Sequence, residues 1–141
     1  MKIRPLSRSF VDEIYGVVYV ALSCKQEDVP RLYQRELGKV RKLKARDRAA
    51  AVKSLLDSPP VGECAGFFAH HVGKGETADI GLIYVQPGMP ISVLVHEVWH
   101  ACFWCFQEHH VDFSGYGANE PMAYYLDWMI DKILLTKRRK K

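Results

Sequence analysis

The stretch that most constrains this chain is His96-Glu97-Val98-Trp99-His100. Side chains four apart on a helix share a face, so both imidazoles can reach one metal ion. Glu97 follows the first histidine and can lean toward a water held by that ion. A divalent cation lowers the pKa of such a water, and a neighbouring carboxylate can take the proton. This chemistry needs a helix, and the flanking residues supply one. Pro90 and Ser92 precede Val93-Leu94-Val95, which puts a helix N-cap at Ser92, and residues 101–106 continue without Gly or Pro. The bland alternative is a buried helix with two core histidines, since so short a pattern recurs by chance.

The 141 residues fit a single domain, taken as 1–136, with a basic tail at 137–141 expected to be disordered. No apolar run is long enough to span a bilayer, so no membrane partner is expected. Ile14 to Leu22 is apolar and follows Lys2, Arg4 and Arg8. Asp12 and Glu13 sit directly before it, so it reads as a strand and not as a secretion signal. Cys24 and Cys64 are isolated. Cys102 and Cys105 fall within the histidine helix and not at its start, so they read as small buried residues. Reduced thiols point to the cytoplasm. Residues 31–53 carry nine basic and two acidic side chains, residues 54–136 two basic and ten acidic. The field over the second half therefore favours a cation. The basic segment and tail read as a solvated surface, with nucleic acid or an acidic protein as possible partners.

Phe10 to Leu22 is rich in β-branched and aromatic residues and is expected to be a strand, with helix the alternative for its first half. Asp28 with Pro30 behind it marks a helix start, and Ser58-Pro59-Pro60 marks the end of the helical region. Ala49-Ala50-Ala51 either continues the first helix or begins a second. Cys64 to Val72 and Ala78 to Val85 flank the turn residues Gly73-Lys74-Gly75-Glu76, which predicts a β-hairpin. His70 and His71 then alternate along a strand, with one side chain outward. A polar loop with Gly115 and Gly117 leads to a last helix from Asn119 to about Leu135, with Met122, Tyr125, Met129 and Ile133 as its apolar row.

Asn119-Glu120 stands where that last helix starts, with Glu120 twenty residues after His100. Together with the histidine motif this resembles the gluzincins, the thermolysin-like branch of the zincin metallopeptidases. The resemblance covers about residues 78–135. The chain looks most like short zincin-like proteins of phage and prophage genomes. The resemblance implies zinc held by His96, His100 and Glu120, with the fourth position left open as catalytic zinc requires. It implies Glu97 as general base and an edge strand that receives the substrate as an added strand. The expected fold is α+β. It is a minimal zincin-like domain, with a small antiparallel or mixed sheet, a hairpin, a metal-site helix and a C-terminal helix.

Asp112, His109 and His110 compete with Glu120 as third ligand, Asp112 because an aspartate serves in the aspzincin branch. The metzincin branch would need Gly at 103 and His at 106, where Phe103 and Phe106 stand. In thermolysin-like enzymes an aspartate four residues after the glutamate ligand orients the first histidine. Tyr124 occupies that position here, and Asp127 could replace it. Tyr116, Tyr124 or a loop histidine could stabilise an oxyanion, whereas Tyr125 reads as a core aromatic.

The expected function is zinc-dependent hydrolysis of a peptide or protein substrate in the cytoplasm, with Glu97 catalytic. The alternative is a non-catalytic, zinc-stabilised binding module whose basic helix near Lys39 to Arg48 contacts nucleic acid or a protein. Glu97 separates the two, since a scaffold has no use for a carboxylate that is not a ligand.

Overall fold

The computed structural model describes residues 1–74, 77–112 and 119–135. Strands β1 (Leu6–Asp12), β2 (Val17–Ser23), β3 (Gly66–His71) and β4 (Ile80–Val85) form one sheet in the order β1-β2-β4-β3. β2 runs parallel to β4, and each edge strand is antiparallel to its neighbour. The α-helices are α1 (Val29–Gly38), α2 (Ala45–Asp57), α3 (Ile91–Glu108) and α4 (Asn119–Leu134). The mixed sheet and its helices make the α+β fold that the sequence predicts.

Every residue of β2 and β4 is buried. Such unbroken apolar strands are stable only where helices cover both faces. The strand alternation divides them. Val17, Tyr19, Ala21, Ile83 and Val85 face α3 and α4. Val18, Val20, Leu22, Ile80, Leu82 and Tyr84 face α1 and α2. The predicted hairpin is present as β3 and β4, paired from Gly66↔Val85 to His71↔Ile80. Of its turn residues, Gly75 and Glu76 lie outside the described residues, as do Gly115, Tyr116, Gly117 and the tail 137–141. Among the described residues no helix is long and apolar enough to cross a membrane.

Two boundaries differ from the sequence reading. The segment read as one strand from Phe10 to Leu22 is the end of β1, a turn, and most of β2. Asp12 Oδ1 accepts the N–H groups of Ile14 at 2.8 Å and Tyr15 at 3.3 Å, and Gly16 has φ of 75°, so an Asx-type turn breaks the run. The motif helix begins at Ile91, next to Pro90 in extended conformation, and not with a cap at Ser92. The first helical N–H is satisfied instead by backbone, because Met1 O accepts the Ile91 N–H at 3.2 Å. Ile3 N–H donates to Met89 O at 2.8 Å and Gly88 N–H to Ile3 O at 2.8 Å, which fixes the approach to the helix.

The helical region before Ser58 divides into α1 and α2, separated by residues 39–44. Pro30 occupies the first turn of α1, while Asp28 flanks it without a side-chain cap bond. α4 runs to Leu134, with Tyr125, Met129 and Ile133 buried against α3 and the sheet.

Candidate metal centre

α3 lies across β3 and β4 with Leu94, Val98, Ala101, Cys102 and Cys105 turned into the core. That orientation leaves His96 and His100 on the exposed face and Glu97 on the buried flank. The two Nε2 atoms stand 3.1 Å apart, with ring planes at 86°. A tetrahedral site with Zn–N bonds of about 2.0–2.1 Å places its donors roughly 3.3 Å apart, so the pair fits one ion. Glu97 joins them, and one donor atom from each of the three residues lies within 4.8 Å of the others. These three side chains form a cluster that could hold a metal ion.

Glu97 is 7% exposed. Burial raises its carboxyl above the ordinary carboxylate value, and the imidazoles of His96 and His100 partly offset that rise. Gly66, the first residue of β3, explains how the side chain fits. A Cβ there would lie 2.9 Å from Tyr84 O, 3.1 Å from Val93 Cγ1 and 3.2 Å from Glu97 Cγ. Glycine thus lets the edge strand approach the helix beside the carboxylate. The sequence predicts Gly66 within a strand but not this close approach to α3. A glycine inside an otherwise apolar strand was the available signal.

The other candidates do not join the cluster. Glu120 is exposed in the first turn of α4 and lies outside the group formed by His96, Glu97 and His100. Asp112 and His110 are exposed near the end of α3. His109 is engaged elsewhere, with Nδ1 2.8 Å from Cys105 O, Nε2 3.6 Å from Asp79 and its ring against Tyr15. Tyr124 is 68% exposed, Asp127 is also exposed, and Tyr116 is outside the described residues. His70 points outward and stacks on Trp104 at 5.2 Å, one turn beyond His100 on α3.

Cys102 and Cys105 are fully buried, as their place inside the helix implied. Burial pushes the Cys102 thiol up to about 12 and also raises that of Cys105. Neither is a thiolate ligand in waiting. Tyr125 is a core residue, and its hydroxyl donates to Asp12 Oδ2 at 2.5 Å. Since that uses its one proton, Tyr19 donates to the Tyr125 oxygen at 2.8 Å. A cavity of about 580 Å³ opens beside this network, lined in part by Tyr15, Phe106, Tyr124 and Trp128, and none of the three cluster residues lines it.

No family model, curated protein or solved structure matches this chain.

Proposed function

We propose that this protein is a zinc-dependent peptidase. The observation that carries the reading is the convergence of His96 Nε2, His100 Nε2 and the buried Glu97 carboxylate beside an edge strand. His96, His100 and Glu120 would hold the ion, Glu120 coming from α4, which packs against α3. Bound zinc supplies a Lewis acid that polarises a peptide carbonyl and makes water more acidic. Glu97 takes the proton from the attacking water and passes it to the departing amine. Its partial burial suits this work, because a carboxylate with a raised pKa is a stronger base. The outer side of β3 has no strand partner among the described residues, and an extended peptide would pair with it there.

The test is metal content and cleavage on the same set of variants. Wild type is expected to hold about one zinc per chain. His96→Ala and His100→Ala are expected to lose it, and Glu120→Ala to bind it much more weakly. Glu97→Gln should keep fold and zinc but cleave an unstructured peptide library about 10²–10⁴-fold more slowly. Equal cleavage by wild type and Glu97→Gln would refute the mechanism. Full zinc in Glu120→Ala with loss in Asp112→Ala would move the third ligand to Asp112.

A further inference from the structure

The corner between α1 and α2 lies on the opposite face of the sheet from the metal cluster. Residues 39–48 hold Lys39, Arg41, Lys42, Lys44, Arg46 and Arg48 against a single acid, Asp47. The turn is not loose. Lys39 N–H donates to Glu36 O at 3.1 Å, Val40 N–H to Leu37 O at 3.2 Å and Leu43 N–H to Val40 O at 3.2 Å. Val40 and Leu43 are 8% and 3% exposed, and Arg48 Nη1 donates to Leu43 O at 2.7 Å. With those two apolar residues anchored, Lys39, Arg41, Lys42, Lys44 and Arg46 are all exposed.

Their pairing is uneven. Lys39 meets Glu36 at 2.9 Å and Arg46 approaches Asp47 at 3.9 Å. Among the described residues Arg41, Lys42 and Lys44 form no ion pair. Lys44 and Arg46 also flank the N-terminus of α2, where the helix dipole disfavours cations. Local stability therefore does not account for them.

We propose that this corner is a contact surface for the phosphate backbone of duplex nucleic acid, independent of the metal cluster. The chemistry of the patch selects that partner. An amphipathic membrane-surface helix inserts apolar side chains, and here Val40 and Leu43 are both buried. A protein interface is centred on desolvated aromatic or aliphatic anchors, and residues 39–48 expose none. Single strands are held by stacking on aromatic rings, which the segment also lacks. Ammonium and guanidinium groups held outward on a fixed turn suit phosphates, whose binding draws on counterion release and carries no sequence preference.

The test is fluorescence anisotropy of the full chain with a labelled random-sequence DNA duplex across a salt series. The triple variant Arg41→Glu/Lys42→Glu/Lys44→Glu is compared with wild type, so that the basic tail is common to both. The variant is expected to bind roughly tenfold or more weakly, with a slope of log K against log salt about 2.7 shallower. Lys42→Ala/Lys44→Ala, a milder change at exposed sites, should make the slope about 1.8 shallower. Thermal melts confirm that both variants fold. Unchanged affinity and slope in both variants would overturn the proposal. So would tighter binding to a single strand of the same sequence, to polyglutamate or to anionic vesicles than to the duplex.

Discussion

The two helical layers that sandwich the sheet are built by different rules. On the α1–α2 side the core is mostly aliphatic, with Val18, Val20, Leu22, Leu37, Leu55 and Leu82 packed together beside Tyr33 and Tyr84. Its polar contacts are few: the Tyr84 hydroxyl donates to Cys24 O at 2.9 Å, and the buried Glu36 meets Ser7 and Lys39. On the α3–α4 side polar groups are carried inside. Asp12, Tyr19, Tyr125 and Cys105 form a buried chain of hydrogen bonds, and Glu97 is held on the inner flank of α3. A layer that only has to pack can be made of hydrocarbon. A layer that positions titratable groups must satisfy each buried donor and acceptor as well. The first layer should therefore respond to lost volume and the second to lost single atoms.

The largest expected effect on stability is Leu37→Ala. Leu37 is completely buried. Truncation there should cost about 2–5 kcal/mol through lost transfer energy and the cavity left behind, read from urea unfolding. Tyr125→Phe comes next, at about 1.5–3 kcal/mol, because it takes the partner from buried Asp12 Oδ2 and from the Tyr19 hydroxyl while removing a single oxygen. The control is Tyr33→Phe. Tyr33 is 2% exposed on the α1–α2 side, and its hydroxyl has no hydrogen-bond partner among the described residues. That change should cost less than the roughly 0.5–1.5 kcal/mol of a typical hydrogen bond, because none is broken. Equal costs for the two Tyr→Phe changes would abolish the distinction between the layers.

What could be read in the sequence follows the same division. The helix through His96 and His100, the β3–β4 hairpin and the apolar row of α4 rest on local periodicity, and each was legible. The buried state of Cys102 and Cys105 was legible from their place inside the helix. The turn at 13–16 was not, because β-branched residues on both sides mask it and its signal is one aspartate and one glycine. β1 was only partly legible, since its first half carries Ser7-Arg8-Ser9 in a row, which breaks the apolar alternation of a strand. The Asp12–Tyr125 bond joins residues 113 apart in the chain. Nothing in the spacing of either announces it. The packing of Glu97 against Gly66 is of the same long-range kind. At the candidate site the histidine pair and Glu97 were legible from helical spacing. Glu120 rested on resemblance, and the structure does not place it in the cluster.

A smaller, pH-dependent effect than that of Leu37 or Tyr125 is expected at Glu36, the buried carboxyl of the α1–α2 layer. Its side chain is 1% exposed. Burial pushes the carboxyl up, but a hydrogen bond from Ser7 Oγ at 2.6 Å and one from Lys39 Nζ at 2.9 Å, with the charges of Lys39 and Arg35, pull it net below the ordinary 4.5. Only the difference between these opposing influences reaches stability. A carboxyl whose pKa is lower folded than unfolded stabilises the protein above the unfolded value, and that stabilisation is lost as pH falls through the folded value. Urea unfolding of wild type and Glu36→Gln at several pH values from 7 down to about 3 reads the linkage directly. At pH 7 the variant should be the less stable of the two, and the gap should close as pH drops below 4.5. A gap that stays constant with pH would mean that Glu36 acts by shape alone. The contrast with the α3–α4 layer, where titratable groups are hydrogen-bonded in the interior, would then be sharper still.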